Sequence, residues 1–348
     1  MGFKLERLIR ENIRGLKPYS SARDEFVALG ADMIFLDANE NPNANGVNRY
    51  PDPHQRSLKA VLANQKGIKE SQIVLGNGSD EILDLLFRAF CEPSKDNIIT
   101  LPPTYGMYKV LSDINVIENC EVLLNEDFQP DVKAILSKVD AHTKLLFLCS
   151  PNNPTGNLIQ SEKIETILNE FQGLVVIDEA YIDFANTESW ICRLNEFPNL
   201  VVTQTLSKAY GMAGIRLGMC FASEEIITIL KKIKPPYNVN ELTQERALIG
   251  IINEKKVSNQ ISAILNERNK FKETLKEFNL VQKVFKSDAN FVLVRVDDAK
   301  MRYGQLLDKG IVVRNRSSQP MCENTLRFTI GTREENKKLL AALKELDL

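Results

Sequence analysis

The middle of the chain alternates between short apolar runs and amphipathic segments. The runs NIITL, KLLFLCS, GLVVIDE, NLVVTQT and LGMCFA are rich in β-branched residues and lack the alternation of a sheet with one solvated face. Both faces of their sheet are therefore predicted to be covered. Residues 161–171 have the pattern of a helix and lie between two of the runs, as a crossover does. This pattern predicts an α/β domain with a mainly parallel sheet.

The pattern changes after a Pro-Pro pair near residue 235. Residues 254–278 form a long, charged, helix-favouring stretch, and ANFVLVRV, GIVVRN and TLRFTIG then have the composition of strands. Two more helices are predicted over residues 299–309 and 333–346. This mixture predicts a second, smaller α+β domain.

These patterns divide the chain into three parts. We predict a large domain over residues 46–235 and a small domain over residues 236–348, and we expect residues 1–45 to pack with the small domain. The first residues, MGFKLERLIRENIRG, place apolar side chains at helical spacing and so predict an amphipathic docking helix. Those side chains are Leu5, Leu8, Ile9, Ile13 and Leu16.

Composition and charge argue against several classes of partner. The chain has 44 basic and 46 acidic residues and a formal net charge of −2, without a block of like charges, so we expect no nucleic-acid partner. No apolar run approaches the ~20 residues that a membrane helix needs, and the charged N-terminus lacks the apolar stretch of a signal peptide. The six cysteines have no CxxC spacing, and two histidines are too few for a multi-histidine metal site. We therefore predict a cytoplasmic protein with reduced cysteines and no metal.

Three strand ends carry polar residues that suit a bound small molecule. SPNNPTGN (residues 150–157) follows KLLFLC directly, Asp178 ends an apolar strand, and Lys208 follows NLVVTQT. Ligand sites of α/β sheets lie at the carboxyl ends of strands, so these groups are expected to converge. A buried carboxylate needs a partner, and a desolvated lysine forms Schiff bases with carbonyl compounds. Pyridoxal phosphate needs such a lysine and an acid beside its ring nitrogen.

A phosphate cradle has candidates as well. GNGSDE (residues 76–81) is a glycine-rich turn that opens a helix, with Ser79 as the predicted N-cap, and a helix N-terminus favours an anion. Thr205 and Ser207 add hydroxyl groups beside the lysine, and Arg216 adds a positive charge. Gly-Asn-Gly turns are common, so this motif alone is weak evidence. Its combination with the strand-end lysine and aspartate favours a cofactor that carries a phosphate.

Longer motifs span nearly the whole chain. They are LDANENP, NRYPDP, LGNGSDE, PPTYGMY, SPNNPTGN, VIDEAYIDF, TLSKAYGMAGIRLG, PYNVN, GIVVRNR and LRFTIGT. With these motifs in this order, the chain resembles the fold-type I pyridoxal-phosphate-dependent aminotransferases, and among them the histidinol-phosphate branch. The lysine and SPNNPTG motifs are shared by many aminotransferases, whereas LDANENP, YPDP and VVRNR are narrower. The resemblance implies a large domain with a mainly parallel seven-stranded sheet covered by helices, plus a smaller α+β domain.

The resemblance implies a role for each residue of a pyridoxal 5'-phosphate site. Lys208 attaches the cofactor and then moves protons, Asp178 pairs with the pyridinium nitrogen, and Tyr105 stacks on the ring. Asn153 and Tyr181 hydrogen-bond the phenolic oxygen of the ring, and Tyr181 is counted with Lys208 and Asp178 as catalytic. The remaining residues surround the cofactor phosphate: Ser79, Asp80, Thr205, Ser207, Arg216 and, from the neighbouring subunit, Tyr50.

The resemblance also implies the substrates and a homodimer. Arg327 binds the carboxylate of glutamate, Arg314 binds the phosphate of histidinol phosphate, and Tyr19 and Asn157 lie near the substrate. The implied reaction is amino transfer between histidinol phosphate and 2-oxoglutarate, in histidine biosynthesis. Because Tyr50 is assigned to the cofactor of the other subunit, the active sites are shared across the dimer.

Other functions use the same residue types. An aromatic-amino-acid aminotransferase or a phospho-amino-acid decarboxylase of the same fold needs the same lysine, aspartate and arginines. A pyridoxal-phosphate-binding regulatory sensor needs a DNA-binding domain before the large domain, and we expect none here. An aldolase that uses a lysine without a cofactor leaves the phosphate cradle and Asp178 unexplained.

Overall fold

Seven strands form the larger of two sheets in the computed structural model, which describes residues 2–19 and 34–347. In chain order they are β1 (Ile73–Asn77), β2 (Asn97–Thr100), β3 (Glu118–Glu121), β4 (Thr143–Cys149), β5 (Leu174–Asp178), β6 (Leu200–Thr205) and β7 (Leu217–Ala222). Across the sheet the order is β1-β7-β6-β5-β4-β2-β3. Neighbouring strands are parallel except at β7, which runs antiparallel to both β1 and β6.

Helices cover both faces of this sheet, as the apolar runs predict. In chain order they are α1 (Glu11–Arg14), α2 (Arg56–Lys66), α3 (Ser79–Phe90), α4 (Met107–Ile114), α5 (Val132–Lys138), α6 (Ser161–Glu170), α7 (Glu224–Ile233) and α8 (Glu241–Ile252). Side chains of β5 alternate between two cores, because successive residues of a strand point to opposite faces. Leu174 and Val176 join α3, α4 and α7, whereas Val175 and Ile177 join α2, α5, α6 and α8.

The second sheet is antiparallel and has four strands. They are β8 (Val281–Val284), β9 (Phe291–Val296), β10 (Arg314–Asn315) and β11 (Thr325–Thr329), in the order β10-β11-β9-β8. Three helices pack on it: α9 (Glu254–Leu275), α10 (Ala299–Asp308) and α11 (Arg333–Leu346). Among the described residues, no helix has both the length and the apolar character needed to cross a membrane.

The two faces of the second sheet have different partners. Val292 and Val294 of β9 face the layer of α9, α10 and α11, together with Leu326 of β11. Leu293 points the other way and belongs to the core of the larger sheet. Arg327 pairs with Leu293 across the strands and shares its face, so the face opposite the small core looks toward the larger sheet.

The predicted fold class is confirmed. The apolar runs of the first half form β2, β4, β5, β6 and β7, and the charged stretch predicted as a long helix forms α9. The last helix, α11, has the predicted bounds. Pattern alone did not predict β1, β3 and β8. The domain boundaries near residues 45 and 235 stay predictions.

The predicted N-terminal helix is two short turns, Leu5–Arg7 and Glu11–Arg14. The helix is broken because the backbone N–H of Arg10 donates to the carbonyl oxygen of Ala89 in α3 (3.1 Å). Three of the apolar side chains lie in the core under α3 and α7: Leu8, Ile9 and Ile13. These side chains pack on helices of the larger sheet and not on the small domain that we expected, and residues 20–33 of the segment lie outside the described residues.

Candidate active site

The carboxyl ends of β4, β5 and β6 open into one cavity, as expected for parallel strands. Ten of the eleven side chains that the resemblance assigns to the cofactor line it: Ser79, Asp80, Tyr105, Asn153, Asp178, Tyr181, Thr205, Ser207, Lys208 and Arg216. Cys149 and two alanines complete the wall. The fold thus brings together residues that are far apart in the sequence.

Asp178 is the last residue of β5 and is buried at the base of the cavity. Its Oδ2 accepts a hydrogen bond from the Tyr108 hydroxyl (2.8 Å), and its Oδ1 accepts one from the backbone N–H of Ala180 (3.1 Å). Burial raises the pKa of the Asp178 carboxyl, and these two hydrogen bonds act in the opposite direction. Such a carboxylate is well placed to bind a cationic N–H group that enters the cavity.

Tyr108 was not identified from the sequence, although it lies in the quoted motif PPTYGMY. It is fully buried on α4, and its ring stacks on Phe147 with centroids 4.8 Å apart. The sequence predicts a buried position there, but the contact with Asp178 joins two elements 70 residues apart. Tyr108 is therefore a positioning residue, which orients the carboxylate and supports its ionised form.

We expect Tyr108→Phe to weaken the reaction most at acidic pH. The ring stack remains, but losing the hydroxyl raises the pKa of Asp178 further, since that hydrogen bond favours the charged form. The carboxylate then protonates at a higher pH, so the acid limb of the single-turnover rate profile moves to higher pH. On that limb the rate falls by about tenfold, the scale of one hydrogen bond to a charged group. A uniform loss at every pH would contradict this role.

Lys208 lies in the turn after β6, with its Nζ 5.6 Å from the centroid of the Tyr181 ring. Burial lowers the pKa of the Lys208 amine, and the nearby guanidinium groups of Arg327 and Arg216 lower it further. Asp178 acts in the opposite direction but does not reverse the shift. A larger share of the amine is therefore neutral, which is the form that attacks carbonyl groups.

The N-terminus of α3 faces the cavity without a side-chain cap. The predicted N-cap, Ser79, is instead the first residue of the helix, and Gly78 takes the cap position with φ 81°. Gly218 of β7 lies against this turn, because a Cβ there would stand 2.3 Å from the Ser79 nitrogen. The free N–H groups and the dipole of α3 are thus available to an anion.

Arg216 and Asp80 are held beside this helix end. Arg216 has left-handed backbone geometry (φ 56°), and its Nη2 lies 3.9 Å from Asp80 Oδ2. The Tyr105 hydroxyl donates to Asp80 Oδ1 (3.1 Å). The carboxylate of Asp80 repels a phosphate, so its side chain serves to hold Arg216 and Tyr105. A side chain at Gly78 would lie 2.6 Å from the Arg216 guanidinium, which explains the glycine.

These donors fit pyridoxal 5'-phosphate. The uncapped helix and Arg216 suit a phosphate at one end of the cavity, and Asp178 suits a protonated ring nitrogen at the other. Lys208 stands in the same cavity for an aldehyde. Thr205 and Ser207 join the phosphate end, where the Thr205 hydroxyl donates to Ser207 Oγ (3.0 Å).

Two predicted substrate residues lie on the second sheet. Arg327 of β11 donates from Nη1 to Asn153 Oδ1 in the cavity wall, and its guanidinium carbon lies 5.0 Å from the centroid of the Phe291 ring. Arg314 of β10 is paired directly opposite Arg327. Arg327 therefore links the second sheet to the cavity, and Arg314 stands next to it on the same face.

Five predicted site residues do not line this cavity: Arg314 and Arg327, just described, and Tyr50, Tyr19 and Asn157. Tyr50 lines a separate surface cavity and stacks on Tyr237 with centroids 4.5 Å apart. Tyr19 is 73% exposed at the end of the first described range. Asn157 is buried, and its amide donates to the carbonyl oxygens of Phe128 (3.0 Å) and Leu158 (3.1 Å). The expectation that Asn157 lies near the substrate is not supported, because its side chain stabilises the SPNNPTGN loop.

Comparison with known proteins identifies the class. The family model for aminotransferase class I and II matches residues 34–343, so the chain belongs to this family. It is 64% identical over 345 residues to the histidinol-phosphate aminotransferase of Christiangramia forsetii, a match that covers 99% of each chain. Within the class, the chain therefore belongs to the histidinol-phosphate aminotransferases.

Solved structures agree on the fold. The histidinol-phosphate aminotransferase from Clostridium acetobutylicum has a TM-score of 0.80 at 28% identity, over 86% of this chain and 91% of that one. The enzyme from Sinorhizobium meliloti, in complex with pyridoxal-5'-phosphate, has a TM-score of 0.79 at 24% identity, over 86% of this chain and 82% of that one. The second likeness concerns the fold alone.

Proposed function

We propose that this chain transfers the amino group of L-histidinol phosphate to 2-oxoglutarate, giving imidazole-acetol phosphate and L-glutamate. Pyridoxal 5'-phosphate is the proposed cofactor, and histidine biosynthesis in the cytoplasm is the proposed setting. One observation carries the proposal. A single cavity holds a buried carboxylate, an amine of lowered pKa and an uncapped helix N-terminus, with an arginine of the second sheet bonded to its wall.

We assign different residues of the cavity to different parts of the cofactor. We assign Asp178 to the ring nitrogen, Lys208 to the aldehyde carbon, and Arg216 with the N-terminus of α3 to the phosphate. The other assignments follow the resemblance: Asn153 and Tyr181 at the phenolic oxygen, Tyr105 on the ring face, and Ser79, Asp80, Thr205 and Ser207 around the phosphate. When bound, pyridoxal phosphate accepts the electron pair left on the substrate carbon that loses its proton.

The protein supplies the proton movements. Lys208 Nζ takes a proton from the carbon that bears the amine, as a general base whose pKa is already lowered. The protonated amine then returns that proton two bonds away, which is the 1,3-shift of transamination. Asp178 would pair with the ring nitrogen and, when ionised, would favour a proton on it. The Tyr108 hydroxyl holds the carboxylate in this orientation.

Arginines of the second sheet select anionic substrates. We assign Arg327 to the carboxylate of glutamate, because a guanidinium binds a carboxylate through two parallel hydrogen bonds. Arg314, on the neighbouring strand, is assigned to the phosphate of histidinol phosphate. Tyr19 is proposed to stand at the edge of the substrate site, as the resemblance implies, and its side chain is exposed.

A half-reaction screen tests the proposal. The holoenzyme is mixed with one amine at a time, and the visible absorbance of the bound cofactor is followed. Histidinol phosphate and glutamate should bleach it fastest. Phenylalanine and O-phosphothreonine represent the aromatic aminotransferase and the decarboxylase. A faster reaction with either one, or release of carbon dioxide from O-phosphothreonine, would overturn the proposed substrates.

We further propose a homodimer with shared sites. Tyr50 is 51% exposed although its ring is large and apolar, and it lies beside Val47 and Leu242, which are 53% and 62% exposed. Grouped exposed apolar residues mark protein–protein contact surfaces. We propose that a second copy of the chain covers this surface. Tyr50 does not line the cavity of its own chain, so it is proposed to reach the cofactor phosphate in the second copy.

Mixing two inactive variants tests the shared site. In a heterodimer of Lys208→Ala and Tyr50→Ala subunits, one site carries both defects and the other carries none. A random mixture should therefore recover about a quarter of the wild-type activity, since a twofold dimer has two equivalent sites. Subunit exchange is checked by native mass spectrometry. If heterodimers form without any gain in activity, Tyr50 does not act across the subunits.

A further inference from the structure

Three arginines share one face of the second sheet. Arg314 and Arg316 are two residues apart on one extended segment, so their side chains point the same way. Arg314 pairs directly with Arg327, and the backbone N–H of Arg316 continues the ladder by donating to the carbonyl oxygen of Thr325 (2.9 Å). Leu326, between these pairs, points into the small core. The three guanidinium groups therefore lie on the face that looks toward the larger sheet.

This arrangement is electrostatically unfavourable by itself. Like charges on opposite residues of paired strands destabilise a sheet. Among the described residues, no carboxylate forms a salt bridge with any of the three arginines. The neighbouring Arg295 on the same sheet differs, since it lies 3.8 Å from the carboxylate of Glu323. Repulsion that the described residues do not compensate with a carboxylate indicates an anion bound from outside the chain.

Among the described residues, Arg316 is less satisfied than Arg327, which also has an unpartnered Nε but donates from Nη1 to Asn153. Arg314 is exposed, whereas Arg316 is half-buried. The Nε of Arg316 is buried and, within residues 2–19 and 34–347, has no hydrogen-bond partner. Burial lowers the pKa of its guanidinium to about 10, with further contributions from Arg327 and Arg314. It also interacts electrostatically with Tyr181, which lines the cavity of Lys208. Its guanidinium thus lies on the sheet face that looks toward the larger sheet and, among the described residues, forms no salt bridge there.

We propose that Arg316 is a third anion-binding residue of the substrate site, which binds the oxyanion at the far end of the substrate from the reacting carbon. This inference rests on the proposed function, in which Arg327 takes one carboxylate of glutamate and Arg314 takes the phosphate. Glutamate has a second carboxylate, and a phosphate dianion has oxygens for two arginines. Both groups present the paired oxygens that a planar guanidinium binds.

Binding of two unreactive dianions to the holoenzyme tests this role. Succinate stands for the dicarboxylate and inorganic phosphate for the phosphate ester, and isothermal titration calorimetry gives both dissociation constants. Arg316→Gln should weaken at least one of them by about 10- to 100-fold, the scale for one hydrogen bond to a charged group. Weaker binding of succinate alone assigns the second carboxylate, weaker binding of phosphate alone assigns the phosphate, and weaker binding of both assigns a shared site.

Arg295→Gln is the matched control, because it removes an arginine of the same sheet that already has a carboxylate partner. It should leave both dissociation constants unchanged. Unchanged binding in Arg316→Gln, or equal weakening in both variants, overturns the proposal. Arg316→Lys keeps the charge without the planar group and should fall between the wild type and Arg316→Gln.

The outcome is separable from that of the proposed function. If Arg316→Gln weakens dianion binding but the wild type transfers no amino group from histidinol phosphate, the anion site stands and the proposed reaction fails. If the reaction proceeds and dianion binding does not depend on Arg316, the proposed reaction stands and the anion site fails.

Discussion

We expect Lys208→Ala to lose amino transfer by ~10⁴-fold or more, because one residue carries both the covalent attachment and the proton movements. Burial and the neighbouring guanidinium groups keep this amine less protonated than an exposed lysine. Borohydride should fix the cofactor to the wild-type protein, on the peptide that contains Lys208. In the variant the cofactor should bind without becoming fixed, because the helix N-terminus and Arg216 that suit its phosphate remain.

Lys59 provides a sharp control for this result. It is buried on α2, and burial together with Lys231 and Lys234 lowers the pKa of its amine to about 7. It does not line the cavity. If a lowered pKa alone selected the lysine, borohydride would label Lys59. Lys59→Met should therefore leave the labelling at Lys208 unchanged, and cofactor found on Lys59 in the wild type would contradict the assignment.

Much of the candidate site could be predicted from the sequence, because the parallel sheet determines where the strand ends meet. Three of the apolar runs, KLLFLCS, GLVVIDE and NLVVTQT, end at polar residues, and the ends of parallel strands lie at one edge. That rule alone brings Asp178 and Lys208 together. Arg216 is predicted as part of the phosphate cradle from its charge near the lysine, the role of Tyr105 rests on the resemblance, and both side chains line the cavity.

What the sequence did not reveal depends on contacts between distant elements. The short strand β3 (Glu118–Glu121) is polar and lies at a sheet edge, so it has no apolar signal. The sequence predicts only that Tyr108 of α4 is buried, and the hydrogen bond from its hydroxyl to Asp178 is seen only in the structure. Ser79 fits the pattern of an N-cap, yet the helix begins one residue earlier than that role requires. Asn157 is expected near the substrate from the resemblance, and the sequence does not show that its amide donates to two backbone carbonyl groups.

The second large effect is expected for Asp178→Asn. The variant keeps the shape of the side chain and removes its charge, so the ring nitrogen loses the group that holds its proton. Removal of one preorganised electrostatic group raises a barrier by ~3–4 kcal/mol, which is about 10²–10³ in rate. Single-turnover bleaching with histidinol phosphate measures that rate directly, apart from binding and product release.

The stability of Asp178→Asn should not fall together with its single-turnover rate. Burial raises the pKa of Asp178 above its value in the unfolded chain. Folding therefore shifts this carboxyl toward its neutral form relative to the unfolded chain, so its ionisation opposes folding increasingly as the pH rises from the unfolded pKa through the folded pKa. At neutral pH a neutral asparagine removes that opposition, so the melting temperature of the apoprotein should stay the same or rise.

Glu179→Gln tests whether the rate loss of Asp178→Asn comes from a charge in the cavity or from the loss of any buried carboxylate. Glu179 is the next residue, is equally buried, and has its pKa raised to about 6 by burial. Its carboxylate accepts hydrogen bonds from Trp190 N–H (2.8 Å) and Gln204 (2.8 Å), and it does not line the cavity. Both Glu179 oxygens face N–H donors, so the amide nitrogen of glutamine would oppose one of them, whereas the Tyr108 hydroxyl can accept from an asparagine at position 178. That lost hydrogen bond should outweigh the removal of the buried charge, so Glu179→Gln should lower the melting temperature and leave the single-turnover rate within a few fold. Two variants with the same rate loss would show that Asp178 contributes only as a buried residue of the fold and not through its charge beside the cofactor.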